Sequence, residues 1–233
     1  MDLKVTGPVV EPEVAVLAAP RTAEPLTAEQ VDSLCEDLAS QGWTVVDARQ
    51  ALGDELLAAL RDEALQLRAS DAMQRAGVGR GAELVHDRGI RRDQIAWLEG
   101  NSATQVALFS WLEALKHSLN YHLYVGLRRF EAHYAVYEPG DFYRCHIDSF
   151  RGRASRVISV VIYLNPGWQP DHGGELVIYD RHQPEQELAR LMPGAGTMAL
   201  FLSEEVPHEV LPSSAVRLSI ACWFRQDEVP LPL

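Results

Sequence analysis

Apolar and polar positions divide the chain into a helical first half and a strand-rich second half. Thr27 and Gln30 form a capping-box pattern, in which each side chain satisfies a backbone N–H of the other residue, and this predicts a helix start. The helix should end near Ser40, because Gly42 follows. The same analysis predicts, in chain order, a strand over 43–46, an amphipathic helix that opens at Gly53-Asp54, a strand over 95–98 and a helix over 104–121.

From Arg128 onward, short apolar or alternating runs recur every few residues, separated by Gly, Pro, Asn and Asp. The predicted strands are 129–137, 141–148, 156–164, 174–180, 186–191, 196–202, 206–211 and 215–224. Short strands at this spacing are typical of an all-β sandwich or barrel. Because the helices precede the strands, we expect them to buttress one sheet of that core.

The chain is predicted to form one domain after a flexible tail. Residues 1–26 contain several prolines and no regular period, so they are interpreted as the tail. The domain is expected over 27–233, with helical support over 27–125 and a β core over 128–225. Residues 70–93 are rich in glycine and arginine, and two interpretations stay open: a solvated surface loop, or a mobile lid over a site, placed at 73–93.

Composition and charge exclude several classes of protein. The chain has 233 residues, of which 47% are hydrophobic and 23% charged, as in ordinary globular proteins. No apolar run is long enough for a transmembrane helix, and no signal peptide is apparent. The formal net charge of −12 argues against a nucleic-acid partner. Three widely separated cysteines form no disulfide or zinc pattern, so we expect a cytoplasmic protein. From hydropathy and net charge, we expect neither a membrane nor a nucleic acid as a partner.

The segment around His146 and Asp148 carries the first candidate chemistry. Residues two apart on a strand share a face, so an imidazole and a carboxylate would lie side by side there. Such a pair can hold a divalent metal, although a single His-x-Asp is common by chance. His208 strengthens the interpretation, because two histidines and one aspartate form the facial triad of non-haem Fe(II) oxygenases. Zinc would accept the same ligands.

Arg217 favours one of these two metals. We predict a hairpin with its loop over 212–215, which sets His208 opposite Ser219 and puts Arg217 on the same face, about 7 Å from His208. A buried arginine requires a partner, either a structural acid or a carboxylate ligand. An arginine beside the triad favours Fe(II) with a dicarboxylate cosubstrate.

These motifs resemble the Fe(II)- and 2-oxoglutarate-dependent dioxygenases, in the prolyl 4-hydroxylase branch. The segment from Ile90 to Gly100 is similar to one in the oxygen-sensing prolyl hydroxylases that regulate hypoxia-inducible factor, which points to a bacterial-type relative. The resemblance implies a mainly β fold, a double-stranded β-helix (jelly roll) buttressed by N-terminal helices. The matching residues are His146-x-Asp148, His208, Arg217, Tyr137-Glu138-Pro139-Gly140, 161–165 and 173–176.

Roles for individual residues also follow from this resemblance. The implied Fe(II) ligands are His146, Asp148 and His208. Arg217 and Tyr163 would hold the far carboxylate of 2-oxoglutarate. The further implied contacts are Tyr137 near the metal and cosubstrate, Ser219 at the cosubstrate carboxylate, and Arg156 and Trp223 on the substrate side.

The implied activity is protein prolyl 4-hydroxylation. It would use Fe(II), O₂ and 2-oxoglutarate, with ascorbate as a stimulant, and release succinate and CO₂. The partner would be a cytosolic protein with a target proline, elongation factor Tu being a candidate, and the rate would respond to O₂. Two alternatives stay open: a dioxygenase of small molecules such as free proline, and a non-enzymatic sensor that binds metal and 2-oxoglutarate.

Overall fold

The structure, a computed structural model, describes residues 23–77, 86–149 and 156–226. Within these ranges it contains the helices α1 (Ala28–Ser40), α2 (Arg49–Ala69) and α3 (Ala103–Leu123). The strands are β1 (Trp43–Asp47), β2 (Gln74–Arg75), β3 (Gln94–Trp97), β4 (Arg129–Tyr137), β5 (Tyr143–His146), β6 (Arg156–Tyr163), β7 (Leu176–Tyr179), β8 (Glu187–Leu191), β9 (Thr197–Leu202), β10 (His208–Val210) and β11 (Arg217–Arg225). Each predicted helix and strand is therefore confirmed, with shifts of a few residues at the ends.

The strands form two antiparallel sheets that face each other as a jelly roll. The larger sheet has the order β1-β9-β6-β11-β4-β3-β2, and the smaller sheet has the order β5-β10-β7-β8. Most neighbours at the centre of the sheets, such as β4, β11, β6 and β9, are distant in sequence, so residues from widely separated segments meet between the sheets. The predicted fold class, a jelly roll buttressed by helices, is confirmed.

Strict alternation along the central strands separates two environments. On β4, β6 and β11 the even-numbered residues pack against the helices, in a core that includes Tyr134, Ile162 and Ile220. The odd-numbered residues of the same strands face the smaller sheet, where Tyr137 and Tyr163 belong to a second apolar cluster. Because strand side chains alternate between faces, one sheet builds both a structural core and a cavity wall.

The helices cover the outer face of the larger sheet. Thr27 caps α1, and both hydrogen bonds of the predicted capping box with Gln30 are present. The second helix starts earlier than predicted, at Arg49, and is interrupted at Gly53, whose φ of 75° lies in the region that favours glycine. No helix in the described ranges has the length and apolarity needed to span a membrane.

The predicted hairpin between His208 and Arg217 is wrong. Strand β10 pairs with β5 and β7, whereas β11 pairs with β4 and β6, so the two strands lie in different sheets. The segment between the two strands forms no hairpin turn. The carbonyl of Pro212 accepts from the N–H of Gly174, and the chain then crosses to the other sheet. His208 and Arg217 consequently face each other across the sandwich rather than along one strand pair.

The predicted tail and loop are only partly described. Residues 1–22 lie outside the described residues, but the last part of the proposed tail is packed. The N–H of Glu24 donates to Ala51, and its carbonyl accepts from the indole of Trp111. The packed chain therefore begins by residue 23 rather than 27. Residues 78–85 of the predicted lid also lie outside the described ranges, and the lid stays a prediction.

Candidate active site

Three metal-ligating side chains converge at one end of the smaller sheet. His146 ends β5, His208 begins β10 directly opposite it, and Asp148 follows β5 by two residues. The Asp148 carboxylate lies 3.5 Å from His146 Nε2 and 3.8 Å from His208 Nε2. One ligand atom from each residue can be chosen so that all lie within 4.8 Å of one another. The structure thus brings together the three residues of the predicted triad.

A β-bulge shapes the strand that carries His146. His208 pairs with His146 but Val210 pairs with Tyr143, so three steps on β5 oppose two steps on β10. The extra residue turns Tyr143 to the same side as His146, and their rings stack with centroids 3.5 Å apart. This aromatic stack fixes one side of the candidate metal site.

Both histidines are oriented for binding through Nε2. His146 Nδ1 lies 2.7 Å from the carbonyl oxygen of Arg144, and His208 Nδ1 lies 3.1 Å from that of Val206. A carbonyl only accepts, so Nδ1 donates and the neutral ring presents its lone pair at Nε2. Burial, with a smaller contribution from His146, lowers the pKa of His208 to about 4, which keeps it neutral near pH 7.

A chain of hydroxyl groups holds Asp148. Ser159 Oγ donates to Asp148 Oδ2 at 2.6 Å, and it lies 2.8 Å from Ser203 Oγ. Because the hydroxyl hydrogen of Ser159 is used in its hydrogen bond to the carboxylate, Ser159 accepts a hydrogen bond from Ser203. The hydrogen bonds therefore run in one direction, from Ser203 to Asp148. Burial alone would raise the pKa of Asp148, but His208 and His146 hold it well below its usual range. Asp148 is therefore an ionised, oriented ligand.

The second half of the cavity surrounds the buried guanidinium of Arg217. Its Nε donates to the carbonyl of Gly174 at 2.8 Å, and its Nη1 lies 3.4 Å from Ser219 Oγ. The guanidinium carbon lies 4.9 Å from the ring centroid of Tyr137 and 5.1 Å from that of Tyr163. Arg217 is thus held between two tyrosine rings with its fork directed into the cavity.

Two buried donors in this cradle lack partners. Among the described residues, neither Arg217 Nη2 nor the hydroxyl of Tyr163 makes a hydrogen bond, and both side chains are fully buried. Orphaned buried donors are costly unless a ligand satisfies them. A carboxylate accepts from a guanidinium and a phenol together, so the residues present fit the far carboxylate of 2-oxoglutarate.

The triad and Arg217 line one cavity that opens to solvent. Its walls include Ala135, Leu176 and Phe201, which limit the entry of water. The donor set at one end and the cationic cradle at the other match a metal with a bound dicarboxylate.

The predicted substrate-side residues lie side by side. Trp223 lines the cavity, and the guanidinium carbon of Arg156 stands 3.7 Å from its ring centroid. Arg156 also pairs with Glu131 at 2.6 Å, and Glu131 pairs in turn with Arg225. The guanidinium of Arg156 is thus paired with Glu131 and stacked on Trp223. A role for Arg156 in substrate binding stays a prediction.

Several cavity residues were not predicted from the sequence. Tyr143 and Ser159 contact the triad, while His133 and the Arg91–Asp93 ion pair border the same space. Burial, reinforced by nearby Arg91, lowers the pKa of His133 to about 4. One signal was available: Ser159 is the one polar residue between Val157 and Ile162, at an odd position of β6.

Comparison with known proteins gives consistent results. A model of the 2OG-Fe(II) oxygenase superfamily matches residues 132–225. The chain is 36% identical to a prolyl-4-hydroxylase of Pseudomonas putida, with a TM-score of 0.76, over 84% of this chain and 99% of that one. A Trichoplax adhaerens prolyl hydroxylase, solved with a hypoxia inducible factor peptide fragment, is 27% identical with a TM-score of 0.75, over 85% and 90% of the two chains.

Two curated relatives differ in how much of their length is matched. Human prolyl hydroxylase EGLN3 is 29% identical over 188 residues, which cover 76% of each chain. Mouse prolyl 3-hydroxylase OGFOD1 is 37% identical over 105 residues, which cover 42% of this chain and only 19% of OGFOD1. The chain therefore matches about a fifth of the length of OGFOD1 and most of EGLN3.

Proposed function

This chain belongs to the 2OG-Fe(II) oxygenase superfamily, and from that premise we propose that it is a protein prolyl 4-hydroxylase. The observation that carries the proposal is the single cavity that joins a His-Asp-His triad to the buried Arg217, whose Nη2 is unsatisfied and which packs against Tyr163 with its unsatisfied hydroxyl. The relatives matched over most of their length, from Pseudomonas putida and Trichoplax adhaerens, are prolyl hydroxylases.

In this proposal the triad binds Fe(II). His146 and His208 contribute Nε2, and Asp148 contributes a carboxylate oxygen while Ser159 holds Oδ2. A facial triad leaves coordination positions for a chelating 2-oxo acid and O₂. When bound, these groups supply the oxidation: 2-oxoglutarate becomes succinate and CO₂, and one oxygen atom enters a C–H bond of the substrate.

The cradle orients the cosubstrate. Arg217 Nη2 and the Tyr163 hydroxyl donate to the far carboxylate of 2-oxoglutarate. Ser219 accepts from Arg217 and so keeps its own proton free for the same carboxylate. Tyr137 packs against Arg217 from the opposite side. The apolar walls exclude water, which protects a reactive oxidant from side reactions.

The substrate proline would lie beside Trp223, which Arg156 holds in place through its stacked guanidinium. The protein substrate is proposed to be cytosolic. Elongation factor Tu is the candidate that the family resemblance suggests. A dependence of the rate on O₂ concentration is part of the same proposal. Ascorbate would stimulate by keeping the iron reduced.

Mass spectrometry of hydroxylated peptides tests the proposal. The enzyme, loaded with Fe(II) and 2-oxoglutarate, is incubated in air with purified elongation factor Tu and, separately, with a cytosolic extract. The Asp148→Ala variant is the control, because it keeps the fold but loses a ligand. We expect one proline to gain the mass of one oxygen atom with the wild type only.

Three other outcomes would contradict the proposal in distinguishable ways. Hydroxylation at C3 of the proline, identified from the isolated amino acid, would indicate a prolyl 3-hydroxylase, the activity named for OGFOD1. Turnover with free proline and no protein product would indicate a small-molecule oxygenase. Binding of 2-oxoglutarate without any turnover would indicate a sensor.

A further inference from the structure

Two exposed arginines flank the candidate metal site without an ion-pair partner. The guanidinium carbons of Arg92 and Arg144 lie 4.5 and 4.7 Å from the ring centroid of Phe142. Neither arginine forms a salt bridge with an acid in the described part of the chain. We call Arg92, Phe142 and Arg144 the arginine platform. It is a local positive feature of a chain with a net charge of −12.

The platform is fixed to the wall of the cavity. The N–H of Arg144 donates to Ile90 at 2.9 Å, and the N–H of Arg92 donates to Phe142 at 3.1 Å. The neighbouring residues Arg91 and Tyr143 pair with each other and line the cavity. These backbone contacts hold the two arginines on a ribbon that borders the triad.

The acids near the platform are engaged elsewhere. Asp93 pairs with Arg91 at 2.6 Å. Asp87 accepts from the N–H of Gly89, and Asp141 accepts from the N–H of Glu138. Asp141 is close enough to Arg92 to interact with it electrostatically but forms no ion pair with it among the described residues, so the repulsion between the two like charges that share Phe142 is only partly compensated. A carboxylate supplied from outside would be attracted by both guanidinium groups, whose planar forks match carboxylate geometry.

We propose that the arginine platform binds an acidic side chain of the protein substrate, and that the enzyme therefore selects prolines in acidic segments. This inference rests on the proposed function and adds the chemistry of the substrate. Arg144 precedes His146 by two residues, a distance of about 7 Å along a strand. An extended peptide rises about 3.3 Å per residue, so the acid should lie about two to four residues from the proline.

Matched peptides test the proposal. One series carries Asp at single positions around a proline, and control series carry Asn or Lys at the same positions. We expect the best Asp peptide to have a KM about two- to fivefold lower than its Asn counterpart, with kcat unchanged, as for exposed charge pairs. The difference should shrink in high salt, because exposed charges are screened. Equal KM values for all series would overturn the proposal.

Variants of the platform localise the effect. Arg92→Gln with Arg144→Gln removes both charges but keeps the Arg144 carbonyl that orients His146. We expect this double variant to lose the Asp preference, and Arg92→Glu with Arg144→Glu to prefer the Lys peptides. Arg61→Gln, on the helical layer, is the matched control and should keep the preference. A double variant with an intact Asp preference would contradict the assignment.

Peptide binding separates this proposal from the proposed function. Fluorescence anisotropy with the Mn(II)-loaded enzyme measures binding of labelled Asp and Asn peptides without turnover. A platform-dependent Asp preference in binding supports the platform even where no proline is hydroxylated, an outcome that would refute only the hydroxylase proposal. Hydroxylation of both peptides with equal binding would refute only the platform.

Discussion

The two faces of the central strands contrast sharply, although they belong to the same backbone. On the helix side of β11, Ile220 and Cys222 are apolar and fully buried in the core. On the cavity side of the same strand, Arg217 and Ser219 are equally buried but polar. Burial alone therefore does not distinguish the structural residues of this strand from the functional ones. A buried charge with an open donor does: Arg217 keeps Nη2 free in the cavity, whereas the orphaned donor on the helix side, the Tyr134 hydroxyl, is neutral and lies beside Glu63.

The largest expected effect comes from removing the guanidinium group of Arg217 on the cavity side of β11. Arg217→Met keeps much of the volume but removes the donors that face the cosubstrate. We expect KM for 2-oxoglutarate to rise by at least about 30-fold, since loss of one partner of a buried charge pair costs about 2 kcal/mol or more. Steady-state kinetics over a range of 2-oxoglutarate concentrations measure this change.

The matched variant on the opposite face of the same strand sharpens the contrast. Ile220→Val should lower the free energy of unfolding by about 0.5–1.5 kcal/mol and leave KM for 2-oxoglutarate unchanged. Denaturant unfolding of both variants provides the comparison. A shift in KM for Ile220→Val as large as that for Arg217→Met would show that the faces are not separable.

A smaller effect is expected from the hydroxyl chain behind the metal. Ser159→Ala leaves Asp148 Oδ2 without its donor, so metal affinity should fall by about tenfold, the lower end for partners of metal ligands. Titration of the apoprotein with Mn(II) measures the affinity directly. Ser159→Thr retains a hydroxyl and should restore most of it. Failure of Thr to rescue, with a folded protein, would favour a packing role for Ser159.

The sequence was sufficient for the local features of the fold. Alternation predicted the strands, the Thr27 capping box predicted the first helix, and the His146-x-Asp148 spacing identified two candidate ligands. The resemblance to the 2-oxoglutarate dioxygenases is confirmed by the comparisons. Each of these local signals lies within a few residues of chain, where strand or helix period usually fixes the geometry. Asp148 is the exception, because β5 is shorter than the predicted strand over 141–148 and ends at His146.

Features that depend on pairing between distant segments could not be predicted. The hairpin between His208 and Arg217 was wrong because residues 211–216 cross between sheets, which no local period records. The bulge that turns Tyr143 toward His146 depends on the register between β5 and β10. Ser159 contacts Asp148 only because the larger sheet faces the end of β5. Sheet assignment and register, rather than element type, set these limits.

The smallest expected effect compares two buried tyrosines on opposite faces. Tyr163→Phe removes a hydroxyl that has no partner among the described residues, so we expect stability to be unchanged or slightly raised, since an orphaned polar group is lost. KM for 2-oxoglutarate should rise about three- to tenfold, the value of one hydrogen bond. Tyr134→Phe makes the same change on the helix side, beside Glu63, and should leave KM unaltered. Thermal unfolding and kinetics of the pair give two independent readouts. If both variants shift KM alike, the Tyr163 hydroxyl acts through packing of the sheet rather than by donating to the cosubstrate.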